Sequence, residues 1–289
     1  MSAGASIQEL LKRAEALLAK NRIDTPKLDA EILLARALDK NRSYLMTWPE
    51  KVPSNAVVSE FQRWLSRRAD CEPVAYILGD QEFYGHLFQV SPAVLIPRPE
   101  TEHLVEKALG WCRDRGTDSP KILDLCTGSG CVGLTLALEL PKASVTLTDL
   151  SPEALAVARH NADTHDVDER VRFFEGDLFE SLPEGERFDL VLANPPYVEE
   201  SFRGEMQKDV LDYEPHLALF AQDDGLNLIR EIVTQSPKYL NQPGLLAMEM
   251  GSGQSARVRS LLGPSWKNPG IIQDLGGHDR IAYAEHQVL

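Results

Sequence analysis

The hydrophobic positions of the first 70 residues follow the spacing of amphipathic helices. Apolar residues recur at intervals of three and four, as they do on one buried helix face. The pattern predicts a first helix over 7–18, a second over 26–38 with proline in its first turn, and a third that has Ser54 or Asn55 as its N-cap. We therefore expect a small helical domain over residues 1–75.

The pattern changes between residues 75 and 90, where short apolar runs are broken by glycine. The breaks fall at Gly79-Asp80 and at Gly85-His86, which is typical of a β-hairpin. We expect this hairpin to form a linker over residues 76–92. The segment VLIPRPETEHL should then lead into a helix that ends near Cys112.

From residue 122 onward, short apolar runs alternate with helical segments. The predicted strands cover 122–125, 144–149, 171–177, 188–194 and 244–250, with two short final strands around 271–274 and 280–285. The predicted helices cover 130–139, 152–162, 223–240 and 255–262, with Ser151 as an N-cap. Repeated β-α units with uninterrupted apolar strands predict an α/β domain over residues 93–289. Its mainly parallel sheet should carry helices on both faces.

Charge and composition exclude several classes of protein. The chain carries 30 Lys+Arg and 44 Asp+Glu, a formal charge of -14. Residues 1–85 hold 12 of each sign, so all the net acidity lies in residues 86–289. Such a balance argues against bare nucleic acid as the main partner. We also expect no signal peptide, no membrane span and a cytoplasmic protein.

The four cysteines indicate neither a metal site nor a disulfide framework. They form no Cys-x-x-Cys pair, and no histidine lies at the spacing of a zinc ligand. Four cysteines in 289 residues are too few for a disulfide scaffold, which fits a reducing compartment. We therefore expect no metal.

A glycine-rich turn follows the first predicted strand of the second domain. Asp124 precedes Thr127-Gly128-Ser129-Gly130, and the next strand ends in Asp149. Glycine lets the backbone turn sharply and approach a ligand, while a strand-end carboxylate can accept hydrogen bonds from both ribose hydroxyls. The two features predict a nucleoside site. Because Gly133 completes G-x-G-x-x-G, glycine spacing alone does not separate NAD from S-adenosylmethionine.

The tetrapeptide Asn194-Pro195-Pro196-Tyr197 follows the fourth of these strands. Two prolines make the loop stiff and poor in N–H donors. The side-chain oxygen of Asn194 and the carbonyl of Pro195 can then accept two hydrogen bonds from one NH₂ group, while Tyr197 offers a flat face for stacking. We interpret the loop as a socket for a planar amide or base whose nitrogen attacks an electrophilic methyl group.

The glycine turn, Asp149 and NPPY together resemble S-adenosylmethionine-dependent amino-methyltransferases. Three further segments, LDAEILLARAL (28–38), EPVAYILGDQEFYG (72–85) and VLIPRPETE (94–102), resemble the release-factor glutamine methyltransferases of the HemK/PrmC family. The resemblance covers nearly the whole chain. It implies a Rossmann-like class I methyltransferase domain with a seven-stranded sheet, preceded by a helical substrate-recognition domain. It also implies methyl transfer from S-adenosylmethionine to the side-chain nitrogen (N5) of the glutamine in the Gly-Gly-Gln motif of peptide-chain release factors.

The resemblance also implies roles for individual residues and a partner. The cofactor would be held by Cys126, Thr127, Gly128, Ser129 and Gly130 at its methionine part, by Asp149 at its ribose, and by Asp177 and Leu178 at its adenine. Asn194 would face both cofactor and substrate. Pro195, Pro196 and Tyr197 would complete the substrate socket, with Asn194, Pro195 and Tyr197 counted as catalytic. The partner would be a release factor, and the enzyme a monomer.

Two positions depart from the family pattern. The family usually has glycine at the position of Cys126, and often an aromatic residue at the position of Leu178. Phe179 is a candidate replacement for the missing aromatic ring. Arg98, with Glu100 and Glu102, could close over the site or form a solvated charge cluster at a helix start.

Four alternatives stay open from the sequence. CTGSG also occurs in the sister family that methylates a glutamine of a large-subunit ribosomal protein. The NPPY socket would accept adenine in a nucleic-acid amino-methyltransferase, although residues 199–209 are not basic. A nicotinamide-dependent oxidoreductase would use the glycine turn and leave NPPY unexplained. A binding module without activity would use neither motif for chemistry.

Overall fold

The computed structural model describes residues 4–264 and 266–286, which form two compact units. The first unit comprises Met1–Gly79 together with Gln207–Tyr213, and the second comprises Asp80–Met206 with Glu214–Leu289. A short segment from the middle of the chain therefore belongs to the helical unit. The functional domains predicted from the sequence, with boundaries at 1–75, 76–92 and 93–289, stay a prediction.

The elements are named in chain order. The helices are α1 Ile7–Lys20, α2 Pro26–Ala37, α3 Arg42–Thr47, α4 Asn55–Ala69, α5 Val74–Leu78, α6 Glu102–Arg115, α7 Cys131–Glu139, α8 Pro152–Thr164, α9 Lys208–Tyr213, α10 Gln222–Gly225, α11 Asn227–Tyr239 and α12 Ser255–Leu261. The strands are β1 Asp80–Phe83, β2 His86–Gln89, β3 Lys121–Leu125, β4 Ser144–Asp149, β5 Val171–Glu175, β6 Phe188–Ala193, β7 Val198–Glu199, β8 Phe220–Ala221, β9 Leu240–Glu249, β10 Trp266–Gln273 and β11 Asp279–His286.

The helical unit confirms the three helices predicted near the N-terminus. Ser54 is the N-cap of α4, because its hydroxyl accepts a hydrogen bond from the backbone of Val57. The apolar faces of α1, α2 and α4 meet in one buried cluster. Helix α3 was not predicted, and the signal for it is Asn41, whose side chain caps the helix at Tyr44.

The hairpin prediction is wrong at its start. Residues Val74–Leu78 form helix α5, and Gly79 ends that helix with a left-handed φ of 83°. The apolar run therefore packs as a helix. The hairpin itself is shorter, with β1 paired to β2, and it turns at Tyr84 and Gly85, which both have positive φ.

The second unit contains the predicted mainly parallel seven-stranded sheet. Its strand order is β10-β11-β9-β6-β3-β4-β5. The five strands from β9 to β5 pair in parallel, while β11 pairs antiparallel with β9 and β10. Two separate buried apolar clusters accompany the sheet. The strand order reverses at β3, where the neighbours β4 and β6 lie on opposite sides, and ligands bind at such switch points.

One predicted helix is interrupted. The segment 223–240 divides into α10 and α11, separated at Leu226. Gly225 has a φ of 73°, and an added Cβ would lie 2.1 Å from the carbonyl oxygen of Tyr197. The close approach of two backbones at this position explains both the glycine and the break.

Three properties of the described residues bear on chemistry. The four cysteines are free. No helix among residues 4–264 and 266–286 is long and apolar enough to cross a membrane. Within those same ranges, no three His, Cys, Asp or Glu side chains gather in a way that could hold a metal ion.

Candidate active site

The glycine-rich turn lies at the carboxyl end of β3 and leads directly into α7. Gly128 and Gly130 have φ values of 55° and 83°, a region that favours glycine. The N–H of Gly130 donates to the carbonyl of Thr127 at 2.9 Å, which closes the turn. Cys126 also has a positive φ, 55°. The departure from the family pattern at this position therefore places a side chain where glycine would be unstrained.

Asp149 ends the neighbouring strand β4 and contacts this turn directly. Its Oδ2 accepts the backbone N–H of Gly128 at 2.8 Å, and its Oδ1 accepts the N–H of Ser151 at 2.9 Å. Partial burial raises the pKa of Asp149, and the backbone hydrogen bonds oppose that rise. Each carboxylate oxygen has a further lone pair with which to bind a ligand hydroxyl.

Asp124, in β3, holds the same turn by hydrogen bonds to two residues that follow it in the chain. Its Oδ2 accepts the hydroxyl of Thr127 at 2.6 Å and the backbone N–H of Gly133 at 3.0 Å. Burial raises the pKa of Asp124 to about 7. An added Cβ at Gly133 would lie 2.3 Å from Leu147 of β4, so this third glycine lets the helix pack closely on the sheet.

Asn194 follows β6 at the same edge of the sheet. In the register of β6 with β9, Ala193 lies opposite Met248, which brings Asn194 level with Glu249. The side-chain Nδ2 of Asn194 donates to the hydroxyl of Thr101 at 3.2 Å. Its acceptor atom, Oδ1, is therefore the one available to a ligand.

Tyr197 faces a partner that the sequence did not suggest. Its hydroxyl donates to Oε1 of Glu249 at 2.9 Å, and its backbone carbonyl accepts from Gln254 at 3.1 Å. Burial and the nearby Glu249 carboxylate raise the pKa of Tyr197 well above its ordinary value. The hydroxyl thus stays protonated and remains a donor.

An ion pair between a half-buried arginine and a buried carboxylate joins two segments beside the site. Arg98 contacts Glu214 across 2.5 Å, and Glu214 also accepts the backbone N–H of Ile96 at 3.2 Å. The Glu214 side chain is only 1% exposed, against 34% for Arg98. The sequence allows two roles for Arg98, and this contact gives it a structural one.

These segments enclose a cavity of about 410 Å³, within the range of small-molecule sites. The predicted site residues that line it are Cys126, Thr127, Gly128, Ser129, Asp149, Asp177, Leu178, Asn194 and Pro196. The other predicted site residues, Gly130, Pro195 and Tyr197, are not part of its lining. Thr101 and Arg98 also line it, as do Leu150, Pro215, Leu217 and Phe220. The cavity thus brings most of the predicted cofactor residues to Asn194.

The aromatic substitute proposed for the adenine side of the site is wrong. Phe179 is buried in the core and stacks on Tyr239, with ring centroids 4.6 Å apart. Leu178 lines the cavity instead, and so does Leu150, the residue after β4, whose exposed fraction is 51%. Leu150 directly follows Asp149. The sequence pattern predicted a site residue at Asp149 and none at Leu150.

Two family models match the chain. Residues 9–79 match the PrmC N-terminal domain, and residues 112–212 match the Methyltransferase small domain. The two matches fall on the helical unit and on the part of the sheet that carries the glycine turn, Asp149 and NPPY.

Relatives and solved structures agree with these matches. A methyltransferase from Pyrococcus furiosus has a TM-score of 0.52 and 15% identity over 71% of this chain and 91% of that chain, which shows a shared fold. Two proteins named release factor glutamine methyltransferase align over nearly their whole length. The one from Nitratidesulfovibrio vulgaris is 39% identical over 99% of this chain and 97% of its own, and the one from Vibrio cholerae is 41% identical over 98% and 97%. With identity of this extent across both units, the chain belongs to the release factor glutamine methyltransferase family.

Proposed function

We propose that this chain transfers a methyl group from S-adenosylmethionine to the side-chain amide nitrogen of the glutamine in the Gly-Gly-Gln motif of a peptide-chain release factor. The observation that carries the proposal is the cavity that joins Asn194 to the glycine turn and Asp149. A nucleoside site and an amide acceptor thereby share one enclosed space, as methyl transfer requires.

The cavity residues fit S-adenosylmethionine. Asp149 presents a carboxylate for the ribose hydroxyls, and the backbone of Gly128 has nothing within 4 Å of an added Cβ, so a ligand can approach it. Leu150 is 51% exposed and lines the cavity, so a flat adenine base would cover its apolar surface, with Leu178 in the same lining. When bound, S-adenosylmethionine supplies an electrophilic methyl group on a positively charged sulfur.

The NPPY residues would activate the substrate amide. An amide nitrogen is a weak nucleophile, because its lone pair is delocalised. We assign the two N–H bonds of the glutamine amide to Oδ1 of Asn194, which lines the cavity, and to the carbonyl of Pro195, whose neighbours Asn194 and Pro196 both line it. Acceptors placed at both N–H bonds favour the pyramidal, cation-like nitrogen that forms during transfer. Pro196 keeps the loop stiff, and the surplus proton leaves to water without a general base.

Tyr197 is assigned to the socket as a support for the loop. Its hydroxyl is engaged by Glu249, and its carbonyl is held by Gln254. Both contacts fix the residue that follows the two prolines. Through these two contacts Tyr197 holds the NPPY loop in place, and the stacking role of its ring stays a prediction.

The helical unit is proposed as the domain that recognises the release factor. It exposes apolar side chains at Met46, Trp48 and Val52, with exposed fractions of 68%, 43% and 54%, and Lys51 lies 4.3 Å from the Trp48 ring. Exposed apolar groups of this kind suit a protein partner. We propose that the enzyme is a monomer, and that it works in the reducing cytoplasm, in accordance with its four free cysteines.

Labelled methyl transfer tests the proposal. The full chain would be incubated with S-adenosylmethionine that carries a labelled methyl group and, in separate reactions, with a release factor, the same factor with glutamate in place of the motif glutamine, a large-subunit ribosomal protein and RNA. The proposal expects label only in the unaltered release factor. Label in the glutamate variant would contradict the proposal. Label in the ribosomal protein or in RNA, with none in the release factor, would also contradict it.

A further inference from the structure

Two buried polar side chains, Thr101 and Glu249, form a chain of hydrogen bonds that ends at Asn194. Thr101 and Glu249 are each only 2% exposed. The Thr101 hydroxyl donates to Oε2 of Glu249 at 2.6 Å, and Nδ2 of Asn194 donates to the Thr101 oxygen at 3.2 Å. Tyr197 donates to the other carboxylate oxygen at 2.9 Å. One carboxylate thus anchors both ends of the NPPY loop.

The direction of each hydrogen bond follows from the chemistry of the groups. Both oxygens of the Glu249 carboxylate accept hydrogen bonds, one from Thr101 and one from Tyr197, so the single proton of the Thr101 hydroxyl is used by Glu249. The Thr101 oxygen can then only accept from Asn194. Asn194 must present its NH₂ group to Thr101, which leaves its carbonyl oxygen, and not its nitrogen, for the cavity. The chain from Glu249 to Thr101 therefore decides which way the amide of Asn194 faces.

We propose that Glu249 and Thr101 are positioning residues that hold the Asn194 amide with Oδ1 available to the N–H of the substrate glutamine. The inference rests on the proposed function, because it gives Asn194 the acceptor role. If the Asn194 amide were reversed, its NH₂ group would face the N–H of the substrate glutamine. Two donors cannot bond, so the substrate would lose one of its two hydrogen bonds.

The placement of Glu249 favours positioning over stability. The residue ends β9, whose preceding residues Leu245–Met248 are fully buried and apolar. Burial raises the pKa of Glu249, while the hydrogen bonds from Thr101 and Tyr197 and the charge of Arg280 oppose the rise and Glu100 adds to it. A carboxylate in such a place generally costs folding energy compared with an apolar residue. Glu249 fixes the direction of the Thr101 hydrogen bond, and an apolar residue at this position could not do so.

The test compares variants of the full chain acting on a full-length release factor. Thr101→Val keeps the shape of the side chain and removes the hydroxyl, whereas Thr101→Ser keeps the hydroxyl. We expect Thr101→Val to lower kcat about ten-fold, with KM for the release factor and for S-adenosylmethionine within about two-fold of the starting values. Thr101→Ser should restore most of kcat. Glu249→Gln, which replaces one acceptor oxygen by a donor, should lower kcat by a similar factor.

Thr135→Val is the matched control. Thr135 is fully buried in α7, and no hydrogen-bond partner is found for its hydroxyl. The same chemical change there should leave kcat within two-fold. A loss of kcat equal to that of Thr101→Val would mean that removing a buried hydroxyl is sufficient, and the proposal would be overturned.

Two outcomes separate this inference from the proposed function. If Asn194→Ala abolishes transfer while Thr101→Val and Glu249→Gln retain full kcat, the function stands and the positioning role is wrong. If Asn194→Ala retains activity, the role of Asn194 itself is wrong. Should the Thr101 and Glu249 variants fail to fold, hydrogen exchange of the Asn194 side-chain amide in the unmodified protein decides. A protected NH₂ proton supports the chain of hydrogen bonds, and rapid exchange of both protons overturns it.

Discussion

Asp149 binds the glycine turn through its own carboxylate, since Oδ2 accepts the N–H of Gly128 at 2.8 Å. The two residues are 21 positions apart: Asp149 ends β4, and Gly128 lies in the turn that follows the neighbouring parallel strand β3. The carboxylate thereby shapes the turn and faces the cavity at the same time. Two separate sequence signals, a glycine pair and a strand-end aspartate, are parts of one hydrogen-bonded unit.

Asp149→Asn should weaken the binding of S-adenosylmethionine at least ten-fold. The amide can accept at only one atom and places an NH₂ group where the carboxylate held a second acceptor, and hydrogen bonds to charged groups contribute about 1.5–3 kcal/mol each. Isothermal titration calorimetry measures the change in Kd. The control is Glu175→Gln, an exposed carboxylate opposite Asp149 on β5, which should leave Kd unchanged. Equal affinities in all three proteins would contradict the ribose role of Asp149.

The glycine turn, Asp149 and NPPY could be predicted as a site at the carboxyl edge of the sheet, because each of these signals lies within one β-α unit. Apolar runs indicate strands, glycines mark the turn, and residues at the carboxyl ends of parallel strands necessarily meet. Thr101, Glu249 and Glu214 could not be found in this way. Thr101 meets Glu249 across 148 positions, and Arg98 meets Glu214 across 116. The one local sign is Glu249 itself, a carboxylate at the end of an apolar strand.

Gly225→Ala should displace the NPPY loop and lower the rate of methyl transfer at least ten-fold. Its Cβ would lie 2.1 Å from the carbonyl oxygen of Tyr197, at a φ of 73°. Gly277→Ala is the control, because Gly277 has a φ of 79° with nothing within 4 Å of an added Cβ. It should show backbone strain alone, about 1 kcal/mol of unfolding free energy. Steady-state rates and thermal unfolding of both variants check the prediction, and equal activity losses would refute the steric explanation.

Glu214→Gln should lower the free energy of unfolding by about 1–3 kcal/mol. The substitution removes the charge from a buried carboxylate paired with Arg98, which is itself one-third exposed. Glu200→Gln provides the comparison, because Glu200 pairs with Arg203 on the surface, where both side chains are exposed. That change should cost less than about 0.5 kcal/mol. Urea unfolding gives both values, and a surface variant as destabilised as the buried one would contradict the interpretation of the pair.

Asp124 should make the protein less stable as pH rises from about 4 to about 7. Its pKa is raised from 3.8 to about 7 in the folded protein, so the folded state holds the proton more tightly. The resulting stabilisation is complete below pH 4 and is lost as pH rises through the folded pKa. Asp124→Asn, measured beside the unmodified protein by urea unfolding, should remove up to about 4 kcal/mol of this pH dependence. Parallel stability curves for the two proteins would contradict the raised pKa.

A glycine C-cap and packing in the helical core explain the largest departure from the predicted fold. The run Val74–Leu78 is apolar and rich in residues that also suit strands, yet it forms α5 because Gly79 provides a left-handed C-cap and Ile77 joins the helical core. Sequence alone did not distinguish the two, since a short apolar run fits a strand and a buried helix equally well.

Peptide mapping of the methylated release factor tests the central claim most directly. The full chain, and separately Asn194→Ala, would be incubated with S-adenosylmethionine and release factor, and the digested factor would be analysed by tandem mass spectrometry. The account predicts one added methyl group, located on the side chain of the glutamine in the Gly-Gly-Gln peptide, with the unmodified enzyme and none with Asn194→Ala. A methyl group at any other residue, an unmodified Gly-Gly-Gln peptide, or full methylation by the Asn194 variant would contradict it.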